Sequence, residues 1–138
     1  MSRQVFVDAS AWIAIADADE ARHEDAVRIF SRLLWDGYLL VTTNLVIAEA
    51  YILLRRRLGY QVAITFLESV NESPRIEIVH PNLPLEIAAK EILRHYNDQD
   101  FSLADAFSFA LMRTRNITEA FAFDQHFATA GFTLIPPG

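Results

Sequence analysis

The chain opens with a short apolar run that stops at an acidic residue. Val5, Phe6 and Val7 are consecutive strand-forming residues, too few for a buried helix, and Asp8 follows them directly. An unbroken run of this length predicts a strand that is covered on both faces, as strands of parallel sheets are. Because ligands of open α/β sheets gather outside the carboxyl ends of the strands, Asp8 is a candidate functional residue.

A similar pattern recurs near the end of the chain, where a predicted strand at 120–123 stops at Asp124. If both strands lie centrally in one parallel sheet, Asp8 and Asp124 share the same edge of it. For either aspartate alone, the stronger interpretation is a helix N-cap, because Asp is a preferred cap and short helices are predicted at 9–16 and 125–130. The repetition of the pattern favours a functional pair, and both interpretations stay open.

Between these two segments, periodic apolar residues predict helices that alternate with short strands. The predicted helices lie at about 26–34, 44–58, 60–70 and 85–96, and the predicted strands at 38–42, 76–79 and 133–135. A further helix begins at Leu103 and is apolar on nearly every side, which predicts a central position. This alternation indicates an α/β fold with a mostly parallel central sheet of about five strands and helices on both faces.

The composition narrows the class of protein. A chain of 138 residues is long enough for one domain with a real core. Hydrophobic residues make up 52% of it, yet no run approaches the ~18 apolar residues of a membrane span, so we expect the excess apolar surface to pack within the domain or against another subunit. No signal-peptide pattern precedes the first strand, which predicts a cytoplasmic protein without membrane contact. The absence of cysteine excludes a disulfide framework and a thiolate site.

The charge limits how the protein contacts nucleic acid. The net charge is -6 and the sequence pI is about 5.1, whereas proteins that coat nucleic acid are normally basic. A small metal site that holds one phosphate is compatible with this balance. Arg55, Arg56 and Arg57 are consecutive on a predicted helix and point about 100° apart, so we favour stabilisation of the helix C-terminus over an RNA-binding patch. Arg113 and Arg115 receive the same interpretation.

Two more acids lie inside otherwise apolar helices. Glu49 and Asp105 both fall in the early turns of predicted helices, near the carboxyl edge of the predicted sheet. Asp105 also fits a capping box with Ser102, which is an ordinary structural role. Four carboxylates at one edge, counting Asp8 and Asp124, repel one another strongly unless a cation lies between them. Mg²⁺ or Mn²⁺ is the natural cation, because both ions accept oxygen ligands.

The histidines do not suggest a metal site of their own. His23, His80, His95 and His126 are scattered along the chain, and no two have the spacing of an H-x-x-x-H zinc motif. We therefore expect each to lie at the surface or at the edge of the core. Loop acids such as Asp17 are likewise expected to be solvated. With only 4 glycines and no G-x-G-x-x-G segment after the first strand, a dinucleotide site is not expected.

The motifs taken in order resemble those of the PIN-domain ribonucleases, and within them the toxins of VapBC toxin-antitoxin pairs. The matching segments are Val5-Phe6-Val7-Asp8-Ala9-Ser10, Thr42-Thr43-Asn44 followed by Glu49, Asp100-Phe101-Ser102-Leu103-Ala104-Asp105-Ala106, and Phe123-Asp124-Gln125-His126-Phe127 followed by Gly131-Phe132. Each segment is short, but the four occur in the family's order and with its spacing. The resemblance covers essentially the whole chain.

The resemblance implies a three-layer α/β/α PIN-like fold formed by residues 1–138 as a single domain. It further implies an acidic pocket in which Mg²⁺ or Mn²⁺ supports cleavage of RNA. The implied metal ligands are Asp8, Glu49, Asp105 and Asp124. Ser10 and Thr43 match positions where the family often has a hydroxyl near the metal, and we expect them to act behind the ligands. The expected partners are a cognate antitoxin and a second copy in a homodimer, and surplus apolar residues in the helix at 60–70 favour such contacts.

Two alternative functions stay open. A phosphohydrolase of the haloacid-dehalogenase type also places an Asp after its first strand, but it normally has a second Asp two residues later, where this chain has Ser10. A non-catalytic RNA- or protein-binding module on the same fold would be expected to have lost one of the four acids, and all four are present. We therefore favour the metal-dependent ribonuclease.

Overall fold

The computed structural model describes residues 3–138, which form a five-stranded sheet and its surrounding helices. The strands are β1 (Gln4–Val7), β2 (Leu39–Thr43), β3 (Ile76–Val79), β4 (Glu119–Phe121) and β5 (Thr133–Ile135). The helices are α1 (Ala9–Ala16), α2 (His23–Trp35), α3 (Asn44–Leu58), α4 (Tyr60–Glu72), α5 (Leu83–His95), α6 (Leu103–Arg115) and α7 (His126–Thr129). Neighbouring strands are parallel throughout, in the order β3-β2-β1-β4-β5. The predicted α/β fold is confirmed.

The strand order divides the helices between the two faces of the sheet. The chain moves from β1 to β2 and β3 in one direction and then returns to β4 and β5 on the other side of β1. Because crossover connections are right-handed, α1 to α4 cover one face and α5 to α7 cover the other. Aromatic contacts agree, since Trp12 meets Phe66 on the first face and Phe109 meets Phe127 on the second. The expected three-layer α/β/α arrangement is thus confirmed.

The centre of the core is formed by the strands and by α6. Residues 5–7 of β1 have no exposed surface, as predicted for a strand with helices on both faces. Phe109 and Met112 are also fully buried, which confirms the central position of α6. Leu103, at the first position of this helix, was expected to belong to its apolar stripe but is 49% exposed.

Local backbone chemistry decides two of the helix boundaries that differ from the prediction. α4 continues two residues beyond its predicted end, because the helical conformation becomes unfavourable only at Ser73, which precedes Pro74. α5 begins two residues earlier than predicted. Its start is fixed by Asn82, whose side chain accepts the N–H of Leu85 at 3.0 Å, and Pro84 is tolerated in the first turn, where its missing N–H is not needed.

β4 is shorter than predicted, which changes how the last candidate acid is placed. The strand was expected to run through 120–123 and to stop at Asp124, but it ends at Phe121. The N–H of Ala122 still donates to the carbonyl of Ile135 at 3.2 Å, and the chain then leaves the sheet. Asp124 is therefore carried by the loop between β4 and α7, and its predicted position directly after a strand is wrong.

β1 is the point where the strand order reverses, with β2 on one side and β4 on the other. In open parallel sheets, such a reversal opens a crevice at the carboxyl ends of the strands. Asp8 is the first residue after β1 and lies at this crevice, as predicted.

Candidate active site

One cavity at the carboxyl edge of the sheet brings the four predicted acids together. It has a volume of about 280 Å³ and is also lined by a further acid, Glu20. The four predicted acids are Asp8, Glu49, Asp105 and Asp124. They come from the β1–α1 junction, from α3, from α6 and from the β4–α7 loop. The grouping expected from the sequence is present, and the role of these acids as metal ligands stays a prediction.

Asp8 is both a helix cap and a member of this cavity. Its carboxylate caps α1, because Oδ2 accepts hydrogen bonds from the N–H of Ser10 at 3.3 Å and from its hydroxyl at 2.8 Å. The backbone N–H of Asp8 donates to the carbonyl of Phe121 in β4 at 3.1 Å. Both interpretations of Asp8 therefore hold at once, since these caps use one carboxylate oxygen and leave the other available.

Ser10 connects the segments that carry two of the acids. Its hydroxyl donates to Asp8 at 2.8 Å and accepts a hydrogen bond from the N–H of Phe123 at 3.0 Å. Phe123 directly precedes Asp124, so this one hydroxyl fixes the β1–α1 junction relative to the loop of Asp124. The position agrees with the supporting role expected for Ser10.

Thr43, the other expected supporting residue, makes a different contact. It is the N-cap of α3, where its hydroxyl accepts the N–H of Val46 at 3.2 Å, and it is fully buried. Thr43 does not line the cavity that the described residues form. It affects the site through the start of α3, the helix that carries Glu49, and its predicted role near a metal stays a prediction.

Asp105 uses the same oxygen for a helix cap and for a contact with a histidine. The predicted capping box is present, because the Ser102 hydroxyl accepts the N–H of Asp105 and Oδ2 of Asp105 accepts the N–H of Ser102, each at 3.0 Å. Oδ2 also lies 3.0 Å from Nδ1 of His126. These contacts leave Oδ1 of Asp105 available for another partner.

His126 is a site residue that the sequence analysis did not single out. Its Nδ1 lies 3.0 Å from Asp105 and 3.5 Å from Oδ1 of Asp124, and one donor atom from each of the three residues falls within 4.8 Å of the others. Its backbone N–H also donates to Oδ1 of Asp124, at 2.8 Å. The side chain does lie at the edge of the core, but it is part of the acidic cluster. The spacing Asp124-x-His126 was the available signal.

The acids lie close enough to disfavour one another's charge. Burial raises the pKa of Asp8 to about 6, and the charge of Asp105 adds to the rise, while the hydrogen bonds from Ser10 oppose it. Partial burial also raises the pKa of Glu49, followed by the charges of Asp8, Asp105 and Asp124. The repulsion expected among four carboxylates is therefore present.

Two arginines line the cavity together with the acids. Arg57 of α3 lies 3.3 Å from Glu20 and 3.8 Å from Asp17. Asp17, which was expected to be solvated, is buried, because it caps the end of α1 next to this arginine. The Arg22 guanidinium lies over the ring of Phe123, 5.1 Å from its centroid. Within residues 3–138, His126 supplies the ion-pair contacts of the four acids, and neither arginine does.

The donor set fits a divalent cation. In each of the three aspartates, nearby N–H or O–H groups occupy one carboxylate oxygen, so the orientation of the side chain is fixed while the second oxygen stays available. Carboxylate oxygens are the ligands that hard divalent cations prefer, and such a cation would relieve the repulsion between the carboxylates. The cavity is thus suited to bind a metal ion between its acids.

Nearly the whole chain matches a known family, since residues 5–133 match the PIN domain. The chain belongs to the PIN domain family. A relative in this family is the 23S rRNA-specific endonuclease VapC20 of Mycobacterium tuberculosis, in strains CDC 1551 and H37Rv. It is 35% identical over 133 residues, which cover 96% of this chain and 98% of the relative. The resemblance to VapC-type toxins inferred from the ordered motifs is confirmed.

Solved structures of other proteins share this fold. The crystal structure of Mycobacterium tuberculosis VapC20, described as a sarcin-ricin loop cleaving toxin, matches with a TM-score of 0.86 and 35% identity, covering 94% of this chain and 96% of that one. FitAcB from Neisseria gonorrhoeae matches with a TM-score of 0.70 and 15% identity, covering 94% and 95%. At that identity the second likeness concerns the fold alone.

Proposed function

We propose that this PIN-domain protein is a metal-dependent endoribonuclease that hydrolyses phosphodiester bonds of RNA, and that it is the toxin of a toxin-antitoxin pair. The observation that carries the proposal is the cavity in which four carboxylates lie together without an arginine or lysine partner among residues 3–138. The similarity to VapC20, an rRNA endonuclease, extends over 96% of the chain and supports the same chemistry here.

Mg²⁺ or Mn²⁺ is the proposed cofactor. The proposed ligands are Asp8, Glu49, Asp105 and Asp124. A bound ion of this kind lowers the pKa of a coordinated water, so that hydroxide is available near neutral pH. The chain's own residues hold the ligands in place: Ser10 fixes one oxygen of Asp8, and the capping box with Ser102 fixes one oxygen of Asp105.

Water is the proposed nucleophile, and no protein side chain forms a bond to phosphorus. Attack in line with the leaving 3′ oxygen breaks the P–O3′ bond, and the departing oxygen takes up a proton. The products then carry a 5′-phosphate and a 3′-hydroxyl. Attack by the 2′-hydroxyl instead would require a pair of acid-base groups such as two histidines, whereas His126 is the histidine that contacts the acids within residues 3–138.

Cleavage of an RNA panel by the wild type and by Asp8→Asn tests this proposal. The panel includes a sarcin-ricin loop RNA, because the VapC20 structure is described as a toxin that cleaves this loop. We expect the wild type to give products with 5′-phosphate ends in Mg²⁺ or Mn²⁺ but not in EDTA, and Asp8→Asn to give none. Asp36→Asn, an exposed aspartate outside the cavity, is the matched control and should cleave like the wild type. Equal activity of Asp8→Asn and wild type would refute the four-carboxylate mechanism.

A cognate antitoxin and a homodimer are the proposed partners. Large apolar side chains are exposed on the described surface, above all Trp35 (87%) and Leu83 (66%). α4, where surplus apolar residues were expected, exposes Tyr60 and Val62, and a groove of about 370 Å³ lies between it and α1. Exposed apolar surface is typical of protein interfaces. Light scattering of the purified protein tests the dimer, and co-purification with the product of the adjacent reading frame tests the antitoxin.

The single-domain organisation of residues 1–138 is also proposed, supported by the family match over 5–133. No helix in the described range 3–138 has the length and apolarity to cross a bilayer. The cytoplasmic location stays a prediction. Of the two alternative functions, the binding module is disfavoured by the complete set of cavity acids, and the dehalogenase-type phosphohydrolase by the membership in the PIN domain family.

A further inference from the structure

Arg22 is a cation at the acidic cavity that the proposed chemistry does not use. It lies at the N-terminal end of α2 and lines the cavity with the four acids. A basic residue at this end of a helix is not stabilised by the helix dipole, unlike the basic residues 55–57 in the last turn of α3. Stabilisation of the helix therefore does not explain its position.

The two arginines of the cavity differ in how their charge is used. Arg57 lies within 4 Å of Glu20 and Asp17, so its charge is already balanced. Arg22 forms no ion pair with a carboxylate among residues 3–138. Its guanidinium instead lies over the ring of Phe123, 5.1 Å from the centroid. The positive charge of Arg22 is thus held in place and not neutralised.

The ring beneath Arg22 belongs to the framework that positions the acids. The N–H of Phe123 donates to the Ser10 hydroxyl at 3.0 Å, and that hydroxyl donates to Asp8 at 2.8 Å. Asp124 is the next residue after Phe123. The guanidinium is therefore set at a fixed place relative to two of the acids. Because this guanidinium has no ion pair among residues 3–138, its N–H groups are available, and such groups match the oxygens of a phosphate.

We propose that Arg22 is a phosphate-binding subsite that holds a backbone phosphate of the RNA next to the one attacked at the acids. This inference rests on the proposed ribonuclease function and specifies a residue that binds its RNA substrate. A protein of net charge -6 repels a polyanion as a whole. The RNA strand therefore binds at a cation that has no ion pair and lies beside the reacting acids. Arg22 acts in binding, and the chemistry stays with the acids.

Equilibrium binding of a fluorescein-labelled, single-stranded RNA of mixed sequence tests the subsite. The measurement is made with Mg²⁺ on an Asp8→Asn background, so that the RNA stays intact, over a range of KCl concentrations. We expect Arg22→Gln to weaken binding about tenfold at low salt. The slope of log affinity against log salt should fall by about 0.7, the value for one phosphate contact on a single strand.

Two further variants separate a specific contact from a general effect of charge. Arg22→Lys keeps the charge but loses the planar edge. The salt slope should therefore equal that of the parent protein with Arg22, while part of the affinity is lost. Arg113→Gln removes an exposed arginine outside the cavity and should leave both quantities unchanged. In the protein with Asp8 intact, Mn²⁺ binding without RNA should be the same for Arg22→Gln and for the wild type.

Several results overturn the subsite. An Arg22→Gln variant with the affinity and salt slope of its parent would do so, as would a loss of affinity with an unchanged slope or an equal loss in Arg113→Gln. A loss of Mn²⁺ binding in Arg22→Gln would show that the residue supports the acids instead. If the protein with Asp8 intact binds no Mn²⁺ and the Asp8→Asn parent binds no RNA, the ribonuclease proposal fails, and the subsite fails with it.

Discussion

The two ends of helix α6 hold their charged residues in opposite ways. At the last turn, Arg115 donates to both carboxylate oxygens of Glu77, at 2.8 and 2.6 Å, and these hydrogen bonds lower the pKa of Glu77. At the first turn, Asp105 lies among other carboxylates, and its charge contributes to the raised pKa of Asp8. Charge is neutralised at the C-terminal end of α6, whereas negative charge accumulates at its N-terminal end.

The acid of β4 is another carboxylate outside the cavity that pairs with an arginine. Glu119 lies 2.8 Å from Arg3 and accepts a hydrogen bond from the hydroxyl of Tyr38 at 3.1 Å. The four predicted acids of the cavity have no arginine in this role within residues 3–138. Because grouped carboxylates of like charge destabilise a fold, their arrangement serves something other than stability. The contrast separates a stabilising end of α6 from a functional one.

Asp105→Asn removes a carboxylate charge from the functional end of α6 and should have the largest effect of the changes predicted here. An asparagine keeps a side-chain oxygen for the N–H of Ser102, so we expect α6 to remain capped. It removes a ligand charge, and RNA cleavage should fall by more than about 100-fold, since even the loss of a residue behind a metal ligand costs about 10–100-fold. Initial cleavage rates in Mg²⁺ measure the effect, and thermal melting verifies the fold. Wild-type activity in this variant would remove Asp105 from the site.

The stability of the protein in EDTA should depend on pH through Asp8. Its pKa is about 6 in the folded protein and 3.8 without the burial, so the folded state binds the proton more tightly. The stabilisation of the folded state by this group is fully present below about pH 4. It is lost as the pH rises through about 6, which lowers the free energy of unfolding by roughly 3 kcal/mol. Glu49, whose pKa is also raised, acts in the same direction.

Urea unfolding of the wild type and of Asp8→Asn between pH 4 and pH 7 measures this dependence. Asparagine does not titrate, so the variant should become more stable relative to the wild type as the pH rises. Saturating Mn²⁺ should stabilise the wild type and reduce the difference. A stability difference that stays constant over this pH range would contradict the raised pKa of Asp8.

Substitution of His126 tests whether the functional end of α6 includes a residue other than the acids. His126→Leu removes the ring nitrogen that contacts Asp105, and we expect the affinity for Mn²⁺ to fall about tenfold. His126→Asn keeps an N–H donor close to the position of Nδ1 and should retain most of the affinity. Titration of Mn²⁺ followed by electron paramagnetic resonance, without RNA, gives both values. Equal affinity of wild type and His126→Leu would mean that the contact is incidental.

Arg115→Gln tests the stabilising end and should have the smallest effect. The ion pair with Glu77 is partly exposed, with 30% and 40% of the two side chains accessible, so solvent screening limits its contribution. We expect a loss of at most about 1 kcal/mol in the free energy of unfolding and no change in RNA cleavage. Urea midpoints and cleavage rates together provide the measurement. Reduced cleavage in a variant of unchanged stability would abolish the distinction between the two ends of α6.

The fold was largely predictable because its signals are local. The apolar run at 5–7, the glycine that ends α3 and the capping box of Ser102 with Asp105 each depend on residues a few positions apart. The strand at 133–135 was predicted with the observed bounds for the same reason. The candidate acids also followed from a local rule, because strand ends and first helical turns of a parallel sheet share one edge.

The parts that were missed depend on contacts between distant segments. β4 ends at Phe121 because its neighbour β5 ends opposite it, at Ile135, and Pro137, the next residue of the chain that would donate to β4, has no N–H. His126 meets Asp105, and Arg22 meets Phe123, only after the loop beyond β4 has been placed. No pattern along the chain specifies those distances.

β4 and β5 follow β1, β2 and β3 along the chain, yet β4 lies beside β1 in the sheet. It pairs with β1, and the carbonyl of Phe121 accepts the N–H of Asp8 itself. A nascent chain that has not reached residue 119 has β1 as an open edge and does not yet contain Asp124. Because chains begin to fold from the N-terminus as they are made, the four acids are brought together only after residue 124 has been synthesised. The order of strands in the sheet therefore delays the assembly of the acidic cavity until β4 has been made.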